Sequence, residues 1–305
     1  MTDIEKWLTA NKGEVLEKAL KKYDKTEKQL EEDVRTISKW LRTQHHLPEI
    51  PSENHVINSL LLNKLSIENS KKNLDLYYSI RTLLPEVFEH MTFENILKQA
   101  NRFCFLPLPK RTPEGDRITL VRLMEPNSEL DLHSLLGYCV NIMDLRLRED
   151  ICTSEIIIDD LETIKLSHLP SISPIHMKKI VMITEKMFNN RVKQIHILNC
   201  SQYLNQPIRW LKNFLKPKIA SRIFFHNNFE ELGKYISLEL LPKEFGGSES
   251  SIIELNDLWK KKLTENADRF DALVKMKIDE KLRPEPLVND EILGFHGNFK
   301  NLDVD

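Results

Sequence analysis

The sequence predicts an α/β protein in two parts: a helical N-terminal bundle, then a mostly parallel β-sheet domain. Two observations predict it. Apolar stripes at helical spacing, punctuated by prolines, occupy the first ninety residues. After about residue 95, β-prone runs alternate with helical patterns, the signature of βαβ units whose sheet is covered by helices.

In the first part, Leu30, Val34, Ile37 and Leu41, with Trp40 alongside, mark one helical face. It ends at His46-Leu47-Pro48-Glu49-Ile50-Pro51, where two prolines forbid continuation. Val56, Ile57, Leu60 and Leu61 form a short second face. Ile67 to Leu84 forms another helix, carrying Leu74, Tyr77, Tyr78 and Ile80 and stopped by Pro85.

In the second part, strands are expected at Arg102–Phe105, Ile118–Val121, Ile156–Ile158 and Ile195–Leu198. A helix over Leu130–Leu147 precedes the third strand. Another over Pro174–Phe188 precedes the fourth, with Ile180, Ile183, Thr184 and Met187 on one face. A charged helical stretch follows at Asp268–Lys281. Beyond it lie Arg283-Pro284-Glu285-Pro286, a linker, and Gly294–Phe299, a tail held by a few aromatics.

Composition narrows the function. A net charge of -2 excludes a general nucleic-acid binder, which needs a broad basic surface. The four cysteines, at 104, 139, 152 and 200, form no CxxC or Cys/His cluster, and the N-terminus has no signal-like apolar run; a reducing, cytoplasmic setting is expected. No apolar run approaches the roughly 20 residues that span a bilayer, so any membrane contact is peripheral and transient. Neither GxGxxG nor GxxxxGK[ST] occurs, which removes the usual phosphate-binding turns of nucleotide folds.

Charge is unevenly spread. From Lys186 to Arg222 there are eight Lys and Arg and no Asp or Glu, where the chain average would give about five or six carboxylates. Leu204, Ile208, Leu211, Leu215 and Ile219 recur through the same segment at helical spacing, beside Tyr203, Trp210 and Phe214. An oily helix flanked by positive charge suits an anionic lipid surface. The bland alternatives are a core stripe and a solvated basic face. Pro207 is either a hinge or an ordinary first-turn proline.

The ordered strings Trp40–Pro48, Tyr77–Glu86, Asp160-Leu161-Glu162, Ser167-His168, Ser173-Pro174, Arg191–Asn199, Phe214–Ile223 and Leu241–Gly247 resemble the CRAL-TRIO family, the retinaldehyde- and tocopherol-transfer proteins. The likeness is to its α-tocopherol-transfer-protein-like, arthropod branch. The resemblance implies a helical N-terminal domain (1–94), a lipid-binding domain (95–265) and a C-terminal helix and tail (266–305). It implies a hydrophobic ligand cavity closed by a gate helix, Tyr203 to Lys218.

Expected cavity residues are Ile157, Leu166, Ile180, Ile183, Thr184, Met187, Val192, Ile195, Ile197, Leu204, Ile208, Leu211, Phe214 and Leu215. Tyr203, Trp210 and Phe214 are expected to face the membrane. Arg191, Lys193, Lys218 and Arg222 match the family's basic cluster for phosphoinositides. The short helix near Leu61 and Asn63 lacks the arginines usual there, and Ala220 stands where some members carry lysine.

The function implied is non-enzymatic carriage of one small hydrophobic ligand, an isoprenoid such as tocopherol, retinoid or carotenoid, by a monomer without cofactor, released at anionic or phosphoinositide-containing membranes. The alternatives are a phosphoinositide-binding trafficking or scaffold protein and a lipid hydrolase, for which no GxSxG is visible. His168 and His176, eight apart without a third ligand, make a poor metal site. Asp160 and Glu162 read as loop-fixing groups, and Gly246-Gly247 as a tight turn. Glu155, Ile157 and Asp159 share one strand face, which the resemblance turns toward the cavity. A carboxylate there needs a partner, a raised pKa, a different register or a polar ligand group.

Overall fold

In the computed structural model, which describes residues 3–284, helices α1 (Asp3–Thr9), α2 (Lys12–Lys22), α3 (Glu27–Leu41), α4 (Glu53–Leu62), α5 (Ile67–Leu83), α6 (Pro85–Phe88) and α7 (Phe93–Arg102) precede the first strand. Thr26 starts α3 with a capping box: its hydroxyl accepts from the Gln29 N–H, and the Gln29 side chain accepts from the Thr26 N–H. The buried stripe of α3 then packs on Val56, Leu60 and Leu61 of α4 and Leu74 of α5. Pro85 ends α5 and also opens α6, where its missing N–H costs nothing.

Strands β1 (Phe103–Arg111), β2 (Arg117–Leu123), β3 (Glu155–Asp160), β4 (Val192–Leu198) and β5 (Ile223–His226) form one sheet in that order. β3, β4 and β5 continue the sheet in parallel from β2, whereas β1 and β2 are antiparallel. The link between the first two strands is short and turns at Gly115 with φ 87°, so only a hairpin closes it. The longer connections carry α8 (Leu132–Glu149), then α9 (Pro174–Met182) and its π-helical turn Ile183–Met187, then α10 (Asn205–Phe214) and α11 (Pro217–Ala220). After β5 come α12 (Phe229–Leu232), α13 (Ile252–Glu265) and α14 (Ala267–Lys275). The sequence readings over 285–305, including Gly294–Phe299, lie outside the described residues.

The register gives the sheet two unlike faces. On one, Leu106, Leu120, Ile158 and His196 pair in a row and all are buried. On the other, the row is Phe105, Val121, Asp159 and Ile197, and its first three members are only half-buried although β2 and β3 are interior strands.

Charged clamps hold the N-terminal helices to the sheet domain. Arg269 of α14 reaches Glu49 at 2.7 Å and Asp144 of α8 at 3.0 Å, and Tyr77 of α5 donates to the same Asp144. At the C-terminal end, Gly247 fits against backbone: a Cβ there would lie 1.9 Å from the Leu241 carbonyl oxygen. Gly246, at φ 74°, makes the turn before it.

Candidate ligand site

The half-buried face of the sheet is roofed by α8, α9 and α10. Leu135 and Cys139 of α8, Ile180 of α9, and Trp210 and Leu211 of α10 join the same apolar assembly as Phe105, and each keeps some accessible surface. These half-buried side chains are the candidate lining of a ligand space. Ile208, Leu215 and Ile219 close over Val192, Ile195, Ile197 and Ile223 with Ile157 among them, which continues the apolar lining under the lid.

The segment expected to form the lid is the turn Gln202–Leu204 followed by α10 and α11. Polar contacts pin it at both ends. Tyr203 Oη donates to the Ile164 carbonyl at 2.5 Å. Lys216 Nζ pairs with Glu185 in the π-helical turn after α9 at 3.0 Å, and the Lys216 N–H donates to the same carboxylate. Pro207 is the third residue of α10, within the first turn, where helical N–H groups have no intrahelical partner; it is an ordinary N-terminal proline.

Not every expected cavity residue takes part. Ile157, Ile180, Thr184, Ile208, Leu211 and Leu215 are half-buried, and Leu204, Val192, Ile195 and Ile197 are buried beneath or beside the lid. Ile183 and Met187 instead pack with Tyr77, Tyr78 and Ile80 of α5, because the π-helical turn rotates them toward the N-terminal helices. Leu166 is 63% exposed on a 3-10 turn and Phe214 is 39% exposed at the end of α10. The turn around Leu166 is fixed by His168, whose Nδ1 accepts from the Lys165 N–H while its Nε2 faces the Ser128 carbonyl.

The membrane-facing trio also divides. Phe214 points out, but Trp210 packs inward with Leu211, and Tyr203 is held by Ile164. Position along the helix separates them: Trp210 lies inside α10 against the domain, whereas Phe214 is its last residue.

The basic cluster is largely committed to protein partners. Arg191 donates to the Leu61 carbonyl, Arg222 donates to the Val192 carbonyl at 2.5 Å, and Lys193 pairs with buried Asp116 at 2.6 Å. Lys218 is exposed and has no such partner among the described residues. Lys212 lies 4.9 Å over the ring of Phe225, itself 46% exposed. A cation and an aromatic thus stand together on the outer surface near the lid.

The paired carboxylates expected to fix a loop do so. Asp160 takes Arg122 Nη1 at 2.5 Å, Asn199 Nδ2 at 2.9 Å and the Glu162 N–H, while Glu162 takes the other end of Arg122. Glu155, on the sheet face toward α8, is paired with Arg146 at 2.6 Å and accepts from the Thr119 hydroxyl. Asp159 has neither hydrogen bond nor ion pair with any described residue, and its burial pushes its carboxyl up to about 7. Its charge also pushes the Cys139 thiol up, beyond what burial alone does. Phe105, Val121, Leu135 and Cys139 were not among the expected lining residues. The β2–β3 pairing and the α8 stripe at 135 and 139 would have found them.

A separate groove of about 390 Å³ runs between the α5–α6 junction and α9, lined by Leu83, Pro85, Ile175, Lys178 and Met182 among others, none of them an expected cavity residue. Among the described residues no cluster of three or more metal-ligating side chains occurs, and no helix is long and apolar enough to cross a membrane. All four cysteines are free thiols.

Residues 103–247 match the CRAL/TRIO domain, and residues 26–95 match the Pinta-like, UBA domain. The human alpha-tocopherol transfer protein-like protein is 26% identical over 271 residues, 86% of this chain and 75% of that protein. Rat clavesin-1 is 32% identical over 94 residues, 30% of this chain and 27% of that protein. The crystal structure of Sfh5 aligns with 82% of this chain and 98% of its own, at 12% identity and a TM-score of 0.48.

Proposed function

We propose, from the premise that residues 103–247 of this chain form a CRAL/TRIO domain, that the protein binds one small hydrophobic molecule beneath α10 and carries it between membranes without chemical change. The observation that carries the reading is the half-buried row Val121 and Asp159 on interior strands, with Phe105 and Ile157 beside it, next to a segment pinned at both ends. An apolar guest that removes about 400 Å² from water there gains on the order of 10 kcal/mol before ordering costs. The carboxylates other than Asp159 on this face and its loop are fixed by cations.

The expected guest is an isoprenoid of tocopherol, retinoid or carotenoid type, a reading supported by the tocopherol named in the relatives. Release at an anionic or phosphoinositide-containing membrane is supported by Lys212, Lys218 and exposed Phe214 and Phe225 on the outer surface. A phosphoinositide-reading scaffold is favoured less, because Arg191, Lys193 and Arg222 are already occupied. Transfer of fluorescent tocopherol or retinol between donor and acceptor vesicles tests the reading. Protein-dependent acceleration supports it, and a rate equal to spontaneous exchange contradicts it.

A further inference from the structure

We propose that Asp159 is the polar anchor of the ligand space and that the guest is a lipid alcohol whose hydroxyl it holds. This deepens the carrier reading and rests on it. The argument begins with two carboxylates on one strand face. Glu155 and Asp159 are four residues apart on β3, both turned toward α8. On α8 the group facing Glu155 is Arg146, and the group coupled to Asp159, two helical turns earlier, is Cys139. The strand and the helix run alongside each other, so a cation at one end is matched by a neutral thiol at the other.

A carboxyl set among apolar side chains with no partner among the described residues is open to one from outside the protein, and half-buried Asp159 is such a group. Asp159 sits mid-sheet, between Val121 and Ile197 in the register, with Ile157 two residues before it. Around Asp159 that face presents Val121, Ile157, Ile197 and the Cys139 thiol, while Glu155 and Thr119 at its other end are already bonded to each other and Glu155 to Arg146, so a guest's polar group meets Asp159. In an apolar surround the carboxyl is pushed up to about 7, so a substantial share is protonated at neutral pH, and that form offers one O–H donor and one carbonyl acceptor. A hydroxyl is the small group that answers both at once. A hydrocarbon answers neither, and an ether, ester or aldehyde oxygen answers only the donor.

Binding of retinol and retinyl methyl ether to the full chain, and of α-tocopherol and its methyl ether, tests this through ligand fluorescence or tryptophan quenching. The wild type is expected to prefer each alcohol by about tenfold, as a site built around a buried polar group does. Asp159→Leu is expected to bring the ratio close to one for both pairs, which separates the carboxyl's role from the bulk of the added methyl. Asp159→Asn, isosteric and still able to donate and accept, is expected to keep part of the preference and guards against misfolding of the leucine variant. Equal affinity for alcohol and ether in the wild type overturns the anchor while leaving the carrier reading standing. So does a preference unchanged in Asp159→Leu. Binding of none of these lipids, nor of a plain carotenoid hydrocarbon, overturns the carrier reading and the anchor with it.

Discussion

Glu155 and Asp159 stand on the same face of β3, four residues apart, and among the described residues only Glu155 has a cation, Arg146 at 2.6 Å. That asymmetry separates a fully paired end of the face from an unpaired one. At the Glu155 end Thr119, Arg146 and the carboxylate are buried together; at the Asp159 end the same face keeps accessible surface.

Asp159 should therefore make stability depend on pH in a direction opposite to a paired carboxylate. Burial raises its folded pKa to about 7 from an ordinary 3.8, so between those values the folded chain keeps a proton that the unfolded chain releases. Its contribution is fully favourable below about pH 4 and is lost as pH rises through about 7. In the ligand-free protein, Asp159→Asn is expected to match wild type at pH 4 and to be more stable by about 1–3 kcal/mol at pH 8. Urea unfolding at the two pH values measures the difference; an equal gain at both would contradict the assignment.

The Glu185–Lys216 pair is expected to govern how fast the lid opens. Exposed pairs contribute about 0–1 kcal/mol, so Glu185→Gln should speed ligand release up to about fivefold with little change in melting temperature. Stopped-flow transfer to acceptor vesicles reads the rate, and a slower release would be the wrong sign.

The two lid aromatics should behave differently. Phe214→Ala is expected to weaken binding to vesicles containing phosphatidylserine while sparing stability, because the ring is in solvent. Trp210→Ala should lower stability by about 2–4 kcal/mol and leave vesicle affinity close to wild type, because the indole packs inward. Vesicle co-sedimentation and thermal melts separate them.

Gly247→Ala is expected to destabilise by more than about 2 kcal/mol, since its Cβ would meet backbone that has no room to yield. Gly246→Ala should cost about 1 kcal/mol, the price of a left-handed backbone with a side chain. Denaturant midpoints for the pair, read against the open-sided Gly13→Ala, check the order.

Much of this was legible in the sequence because periodicity reports local structure. The α3 stripe, the strands around Ile118, Ile156 and Ile195, and the helix over α8 all follow from spacing that burial then honours. Ile223–His226 was passed over as a strand: four residues after a proline-started turn carry too short a pattern, and its place is set by pairing with β4. The hairpin of β1 and β2 depends on the short Gly115 turn rather than on strand composition. At the site, the helix carrying half-buried Ile208 and Leu211 was readable, but Trp210's inward turn and the commitment of Lys193 to Asp116, 77 residues away in sequence, depend on long-range packing. The place of Asp159 was visible in outline, since its face on β3 followed from alternation; that Arg146 is taken by Glu155 and Asp150 was not.

Native mass spectrometry of the purified full chain, before and after incubation with lipid vesicles containing α-tocopherol or retinol, tests the internal ligand space most directly. The expected spectrum shows one lipid per chain, lost in Ile157→Trp, where an added indole occupies the space beneath Ile208 and Leu215. A chain that stays at its bare mass under both conditions, or one whose bound lipid survives Ile157→Trp at full stoichiometry, would contradict it.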